Sequence, residues 1–312
     1  MPSNQTPLGA LPGRFRRLRV LIVGCGDVGL RVARALPPRV RVMALTSSPE
    51  RVDVLRAACI VPLQGDLDRS RTLARLAGLA DRVIHLAPPA TQPQDGRRDL
   101  RTQALLRALR LRTPLACLVY ASTSGVYGDC SGERVSEARA VAPRTPRAQR
   151  RVDAERQLRA LGRGSETRVS LLRVPGIYAS DRAGGTPRER LLRGTPVLAP
   201  QDDVYTNHIH ADDLARAVLA ALWRGRPQRV YHASDDSVLK MGDYFDLAAD
   251  LYGLPRPPRI TRVAAQEQLP PSLLSFMGES RRLDNARMKK ELRVRLRHPD
   301  VASGLVAPTA RV

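Results

Sequence analysis

The chain has 312 residues, of which 43% are hydrophobic and only 4% aromatic, and its formal net charge is +22 at pH 7. This length can bury a substantial core, either as one large α/β unit or as two interleaved lobes. No apolar run approaches the ~20 residues that a membrane span requires, so we expect no membrane segment.

The positive charge by itself would suggest nucleic acid as a partner. The basic residues are almost all arginines, however, with lysine only at positions 240, 289 and 290, and they are spread over most predicted helices rather than gathered in one stripe. Aromatic residues for base stacking are scarce, and no nucleic-acid-binding motif is present. We therefore expect no specific nucleic-acid partner.

Residues 1–17 contain proline, glycine and arginine and are predicted to form a flexible basic tail. The apolar run that follows, Val20–Val23, is too short for the core of a signal peptide, which favours a cytoplasmic protein. The four cysteines, Cys25, Cys59, Cys117 and Cys130, have neither disulfide nor metal-site spacing. They are predicted to be buried, reduced thiols, and no metal site is predicted.

The first structured segment combines a strand, a glycine-rich turn and a helix. Arg19–Val23 is rich in β-branched residues and predicts a buried parallel strand. Gly24, Gly26 and Gly29 follow in G-x-G-x-x-G spacing, and Val28–Leu36 predicts a helix. This is the dinucleotide-binding fingerprint, in which the glycines allow a tight turn, the approach of a pyrophosphate and close packing of helix on strand. The helix N-terminus then offers free N–H groups to the phosphates. The alternative is an ordinary glycine-rich turn.

Further strands and helices alternate along the chain. Strands are predicted at Val40–Leu45, Ile60–Gln64, Arg82–Leu86, Ala116–Ser122, Val169–Val174 and Arg229–Ala233, and helices at Pro49–Ala58, Arg69–Ala77, Asp95–Arg110, Pro146–Leu161, Leu214–Trp223 and Met241–Tyr252. This alternation predicts an α/β fold with a Rossmann-type, doubly wound parallel sheet. We assign residues 18–178 and 203–236 to the dinucleotide-binding domain, and 179–202 and 237–312 to a smaller C-terminal substrate lobe.

Seven segments, in this order, carry a resemblance to a known superfamily: Gly24–Gly29, Gly65–Leu67, His85–Ala87, Ser122–Gly128, Leu172–Tyr178, Asn207–Leu214 and Arg281–Asn285. With them the chain resembles the extended short-chain dehydrogenase/reductases, the branch that includes nucleotide-sugar epimerases and dehydratases. The resemblance implies a cofactor, NAD or NADP, and a small-molecule substrate of the polar, nucleotide-sugar-like kind.

The resemblance also implies cofactor contacts position by position. The main chain of the glycine loop would hold the pyrophosphate, Asp66 would accept a hydrogen bond from the adenine, and the later residues would line the riboses and the nicotinamide. The residues so assigned are Gly24, Cys25, Gly26, Asp27, Val28, Gly29, Asp66, Leu67, Ala87, Pro88, Arg151 and Pro175. The alternative for Asp66 is a turn residue that caps the next helix.

The residues after the second strand bear on the choice between NAD and NADP. Thr46, Ser47, Ser48 and Arg51 occupy the region where an acidic side chain would bind the ribose hydroxyls of NAD and repel a 2′-phosphate. Hydroxyls and an arginine suit a phosphate instead. We predict that these residues contact the cofactor and that NADP is preferred. The alternative is that Ser48 starts a helix and that Arg51 is solvated.

The resemblance breaks at the catalytic residues. In the superfamily a Tyr-x-x-x-Lys pair supplies the general acid/base and the lysine that lowers its pKa and holds the nicotinamide ribose. Here the tyrosine position is Arg147 and the lysine position is Arg151. Arginine stays protonated, so Arg147 cannot accept a proton, whereas Arg151 retains the charge that could contact the ribose. Chains with this loss are grouped as atypical members.

Hydroxyl groups after the fifth strand are the remaining candidates for chemistry. Thr123 aligns with the catalytic serine or threonine of the superfamily, and we assign catalytic roles to Thr123 and Tyr127. The alternative for Tyr127 is the role that this tyrosine usually has in the superfamily, which is to line the substrate site. Ser124, His208 and His210 are predicted to bind substrate. For the two histidines, local packing or capping of the following helix is an equally good interpretation.

Two classes of function remain open. The first is an NAD(P)-dependent oxidoreductase or epimerase-like enzyme, supported by the cofactor fingerprint and by Thr123 and Tyr127. The second is a noncatalytic NAD(P)-sensing or partner-regulating module, supported by Arg147. The chain is expected to be a monomer or a homodimer. The superfamily often dimerises through the helices corresponding to Asp95–Arg110 and Pro146–Leu161, which are rich in arginine here.

Overall fold

The centre of the molecule is a seven-stranded, all-parallel sheet in a computed structural model that describes residues 18–91, 96–112 and 115–306. Its strands are β1 (Arg19–Val23), β2 (Arg41–Thr46), β3 (Val61–Gln64), β4 (Arg82–His85), β5 (Cys117–Thr123), β7 (Arg168–Val174) and β12 (Arg229–His232). The order across the sheet is β3-β2-β1-β4-β5-β7-β12. This order reverses direction next to β1, which is the switch point where doubly wound folds bind their ligands.

Helices cover both faces of the sheet. One face packs against α1 (Asp27–Ala35), α2 (Arg51–Ala57), α6 (Ala211–Arg224) and α10 (Ala286–Leu292), and the other against α3 (Leu100–Leu109), α4 (Pro146–Arg163) and a 3₁₀-helix at Ser70–Leu76. Because both faces are covered, the strands are nearly continuous apolar runs, and in β1 Val20, Leu21 and Ile22 have no exposed surface. The predicted α/β Rossmann-type fold is confirmed.

Short elements lie beside the sheet, and part of them forms a hydrophobic cluster of its own. They are β6 (Arg134–Val135), β8 (Gly176–Tyr178), α5 (Arg188–Leu192), β9 (Val197–Leu198), β10 (Tyr205–Thr206), β11 (His208–His210), β13 (Leu239–Lys240), α7 (Met241–Tyr252), β14 (Arg259–Ile260), α8 (Arg262–Gln268), α9 (Pro271–Met277), β15 (Arg282–Leu283) and α11 (Val301–Leu305). The apolar face of α7, with Tyr244 and Phe245, packs against α5, β9 and α11. The division into two domains with the boundaries given above stays a prediction.

Three details differ from the sequence predictions. The segment predicted as a helix over Arg69–Ala77 is a 3₁₀-helix at Ser70–Leu76, and the helix predicted from Asp95 begins at Leu100, with Asp95 itself outside the described residues. Cys59 was expected to be buried but is exposed, because it lies at φ 56° in the tight turn between α2 and β3. Within the described ranges, no helix is both long enough and apolar enough to cross a bilayer.

Candidate functional site

A cavity of about 540 Å³ lies at the carboxyl ends of the central strands, beside β1. Every residue predicted to contact the cofactor lines it: Gly24, Cys25, Gly26, Asp27, Val28, Gly29, Thr46, Ser47, Ser48, Arg51, Asp66, Leu67, Ala87, Pro88, Arg151 and Pro175. They meet there because parallel strands end at one edge of the sheet. Contact with a cofactor is taken up below as a proposal.

The three glycines of the loop have different surroundings. Gly24 has φ +87°, and a β-carbon at this position would lie 2.4 Å from the backbone nitrogen of Ala87. A β-carbon on Gly26 would meet nothing within 4 Å, so the main chain there is open to the cavity. On Gly29 it would lie 3.2 Å from the carbonyl oxygen of Gly24. The loop therefore needs glycine for its backbone at the first position, for ligand access at the second and for packing at the third.

Arg51 is fixed against the glycine loop. Its Nη2 donates to the carbonyl oxygen of Cys25 at 2.6 Å, so the side chain is half-buried rather than solvated. Next to it, the Thr46 hydroxyl accepts from the Ser48 N–H at 3.2 Å and shapes the end of β2. The Cys25 thiol is buried, which raises its pKa to about 11 although Arg51 acts in the opposite direction. This thiol is therefore protonated at neutral pH and supplies no thiolate.

Asp66 lines the cavity and also shapes a turn. Its Oδ1 accepts from the Asp68 N–H at 2.9 Å, and its backbone N–H donates to the Thr72 hydroxyl at 2.8 Å. The turn role, given above as the alternative to adenine binding, is therefore present in the structure. The second carboxylate oxygen, 3.9 Å from Arg69 Nε, is the atom left for a ligand.

A second cavity, of about 840 Å³, opens beside the first between the sheet and the C-terminal elements. Five residues line both cavities: Thr123, Arg147, Pro175, Ile177 and Arg182. Ser124 and His208, two of the three residues predicted to bind substrate, line the larger cavity. The boundary between the cavities is the point where two bound molecules would meet.

Two polar residues at this boundary occupy positions that are catalytic in the superfamily. Thr123 is in the serine or threonine position, and Arg147 is in the tyrosine position. The Thr123 hydroxyl accepts a long hydrogen bond, 3.3 Å, from the Gly125 N–H, and its own proton is left for another acceptor. Arg147 makes no hydrogen bond or ion pair with any residue of the described ranges. The side chain is exposed, and partial desolvation together with the neighbouring charges of Arg151 and Arg150 lowers its pKa. An unpaired cation therefore occupies the tyrosine position.

Arg151, in the lysine position, is buried under β5. Its Nη1 donates to the carbonyl oxygen of Ala121 at 2.7 Å and to the Tyr120 hydroxyl at 2.9 Å, while its Nε has no hydrogen-bond partner among the described residues. The guanidinium lines the smaller cavity, but protein acceptors hold one of its nitrogens.

The structure brings Tyr127 to neither cavity. Its side chain is 1% exposed and belongs to a buried network, in which its hydroxyl accepts from Arg173 Nη1 at 2.7 Å and lies 2.5 Å from His232 Nε2. Burial raises the pKa of this hydroxyl, with Arg173 acting in the opposite direction. The network continues to Glu155, which binds Arg173 through both of its carboxylate oxygens and accepts from the Ser122 hydroxyl at 2.7 Å.

The two histidines occupy different environments. His208 is buried and lies against the Tyr244 ring at a centroid distance of 4.2 Å, and burial lowers its pKa to about 4, so its imidazole is neutral at neutral pH. His210 lies outside both cavities. Its Nδ1 accepts from the Asp212 N–H at 3.2 Å and caps α6, which is the alternative given for it above.

One group of side chains has the composition of a metal site. Ligand atoms of His210, Asp212 and His298 lie within 4.8 Å of one another. The His210 Nδ1 already accepts the capping hydrogen bond, however, and Arg31 Nη1 donates to Asp212 Oδ1 at 2.6 Å. These contacts account for the cluster as the N-terminal cap of α6 and its ion pair.

Sequence reasoning missed the charged residues that the C-terminal elements bring to the larger cavity. Arg190, Glu279 and Arg281 line it, with Arg281 Nη1 bound to Glu279 at 2.8 Å. Arg281 falls in a segment of the resemblance, but no role was assigned to it there. Arg190 lies in a region without a motif and reaches the cavity only through packing on α7.

The chain is similar in sequence and in structure to known proteins. A model of the NAD dependent epimerase/dehydratase family matches residues 20–233. UDP-glucose 4-epimerase from Azospirillum brasilense is 27% identical over 240 residues, which cover 65% of this chain and 68% of that protein. A functionally unknown conserved protein from Silicibacter pomeroyi has a TM-score of 0.74 at 28% identity, over 92% of this chain and 96% of that one.

A further structure shows the same fold. MoeE5 in complex with UDP-glucose and NAD has a TM-score of 0.72 at 24% identity, over 92% of this chain and 96% of that one. The family match extends over the whole parallel sheet, from β1 to β12. The chain belongs to the NAD dependent epimerase/dehydratase family, within the extended short-chain dehydrogenase/reductase superfamily.

Proposed function

We propose that the protein is an NAD(P)-dependent oxidoreductase or epimerase-like enzyme that acts on a small polar, nucleotide-sugar-like metabolite and prefers NADP to NAD. The observation that carries the proposal is the boundary between the two cavities, where Thr123 and Arg147 face both. Relatives support the substrate class, since one is a UDP-glucose 4-epimerase and another structure holds UDP-glucose and NAD.

The smaller cavity has the features that a dinucleotide requires. Gly26 leaves the main chain open, and no side chain caps the first turn of α1, so the N–H groups of that turn are available to a pyrophosphate. Between the end of β2 and the start of α2, the side chains that line the cavity are hydroxyls and Arg51, and the carboxylate of Glu50 is not among them. In this proposal the glycine loop binds the pyrophosphate and Arg51 binds a 2′-phosphate.

The nicotinamide, when bound, supplies the acceptor or donor of a hydride. In the proposed reaction the Thr123 hydroxyl donates a hydrogen bond to the substrate oxygen, and the Arg147 charge stabilises negative charge on that oxygen. Arg147 remains protonated and takes no proton itself. The proton is then exchanged with water in the larger cavity, and the buried Tyr127 has no part in the step.

NADPH is expected to bind more tightly than NADH, and Arg51→Ala is expected to weaken NADPH binding about tenfold or more while changing NADH binding little. The reason is that a charge-assisted hydrogen bond to phosphate is lost only with NADPH. Titration followed by nicotinamide fluorescence measures both affinities. Arg56→Ala is the matched control, since Arg56 is on the same helix and pairs with Asp53 at the surface. An equal loss for both cofactors in Arg51→Ala would contradict the preference.

Thr123→Val is expected to lower kcat by about 10²–10³ with NADPH affinity unchanged, because it removes one hydrogen-bond donor from the reacting oxygen. The assay follows turnover of UDP-glucose and UDP-glucuronic acid by nicotinamide absorbance and by analysis of the sugar products. Thr123→Ser retains the hydroxyl and should keep most of the activity. Full turnover by Thr123→Val would remove Thr123 from the mechanism.

The noncatalytic alternative is favoured by one observation, the unpaired arginine in the acid/base position. A sensor would bind NADPH but turn over no sugar nucleotide. Saturating NADPH at a hundred times its dissociation constant would still stabilise such a protein by about 2.7 kcal/mol. Stabilisation without turnover in the wild type would therefore support the sensing module over the enzyme.

A further inference from the structure

Arg190 is a half-buried cation that lines the larger cavity and forms no ion pair with the described residues. It lies on α5, and its guanidinium carbon is 4.3 Å from the centre of the Phe245 ring on α7. Its Nε and Nη2 are buried and have no hydrogen-bond partner in the described part of the chain. Burial lowers the pKa of this guanidinium, against the influence of the neighbouring Tyr244 hydroxyl.

Two other arginines, the buried Arg173 and the half-buried Arg259, have carboxylate partners, whereas the buried Arg150 and Arg151 donate to backbone carbonyl or tyrosine hydroxyl oxygens instead. Arg173 binds Glu155, and Arg259 binds Asp246 with Nη2 at 2.5 Å. A buried charge without such a partner destabilises a folded protein, because desolvation of the ion is not offset by an attraction. The unpaired charge of Arg190 therefore does not by itself stabilise the folded state.

More basic than acidic side chains line this cavity. Five arginines line it, against one acidic residue, Glu279, which is already paired with Arg281. A second buried polar atom without a partner lines the same cavity, the Nδ1 of His208, whose side chain is 94% buried (6% exposed). The lining of this cavity therefore carries more positive than negative charge.

We propose that Arg190 binds an anionic group of the substrate, a phosphate or a carboxylate, in the larger cavity. The proposal rests on the proposed function insofar as it places substrate in this cavity. Nε and Nη2 form one side of the guanidinium fork, and that pair of parallel N–H groups matches two oxygens of a carboxylate or phosphate. Presenting the fork requires a change of side-chain rotamer, as is common at binding sites.

The test uses the full chain, with saturating NADPH and without it, and compares wild type with Arg190→Met. The probes are inorganic pyrophosphate, UDP-glucose and UDP-glucuronic acid, with glucose as the uncharged control, and binding is measured by calorimetry and thermal shift at constant ionic strength. Arg193→Met is the matched control, since Arg193 lies just beyond the end of α5 and pairs with Glu189 in solvent.

Arg190→Met is expected to lower the affinity for the anionic probes at least tenfold, with NADPH affinity unchanged. Without probes its melting temperature should equal or exceed that of wild type, because the substitution removes a partly desolvated charge that has no carboxylate partner. A purely structural arginine packed on Phe245 would give the opposite sign, a lower melting temperature.

The probes separate the two sources of the anion. Equal losses for pyrophosphate and UDP-glucose assign Arg190 to phosphate, whereas a loss confined to UDP-glucuronic acid assigns it to a sugar carboxylate. Arg190-dependent binding of pyrophosphate without binding of UDP-glucose would support the anion site and reject the nucleotide-sugar substrate. The proposal is overturned if the variant binds every probe like wild type, or if wild type binds none of them.

Discussion

Glu155→Ala is expected to reduce the free energy of unfolding by about 3–5 kcal/mol, because it leaves a buried guanidinium uncompensated. Glu155 and Arg173 are each 3% exposed, and Arg173 donates to the two carboxylate oxygens at 3.1 and 2.7 Å. The substitution also removes the acceptor of the Ser122 hydroxyl. Urea denaturation followed by circular dichroism measures the difference.

The control for this prediction is a surface ion pair. Glu189→Ala breaks the pair with Arg193, whose side chain is 70% exposed, and exposed pairs contribute only about 0–1 kcal/mol. The double variant Glu155→Leu with Arg173→Met should recover much of the lost stability, because apolar residues of similar volume replace both charges. A single Glu155→Ala variant as stable as wild type would show that water reaches Arg173.

Gly24→Ala is expected to cost about 3 kcal/mol of unfolding free energy and to abolish NADPH binding. The backbone at φ +87° is strained for any residue with a side chain, and the new methyl group would lie 2.4 Å from backbone atoms of Ala87 that cannot turn away. Thermal melting gives the stability and fluorescence titration the affinity.

Gly26→Ala separates the two effects. A β-carbon there meets nothing within 4 Å, and the φ of −80° is ordinary, so stability should stay close to that of wild type. The methyl group would instead occupy the space of the approaching pyrophosphate, and NADPH affinity should fall. If Gly26→Ala binds NADPH normally, the pyrophosphate does not lie on this loop.

The sheet and the residues that line the smaller cavity could be predicted from the sequence because their signals are local. Each parallel strand is an apolar run, and the ends of such strands converge, so residues as distant in sequence as Gly24 and Pro175 line one cavity. The glycine spacing likewise reports a backbone conformation, which a sequence encodes directly through Gly24.

The lining of the larger cavity depends on contacts between residues that are far apart in the sequence, and no local sequence pattern predicts such contacts. Tyr127 follows β5, but the direction of its side chain is decided by Arg173 and His232 from strands far along the chain. Arg190 lies in an irregular stretch and is placed by packing on Phe245. One part of this arrangement was predictable, because successive side chains of a strand point to opposite faces of the sheet. In β5 Ser122 points towards Glu155, so Thr123 points to the other face.

The wall that the two cavities share has a thermodynamic consequence. Thr123, Arg147, Pro175, Ile177 and Arg182 border both spaces, so a molecule bound in one changes the surface offered to a molecule in the other. Linkage requires that this influence be reciprocal: by whatever factor a dinucleotide alters the affinity for substrate, the substrate alters the affinity for the dinucleotide by the same factor. If both molecules bind as proposed, this single layer of side chains would couple their affinities, positively or negatively, without a change of fold.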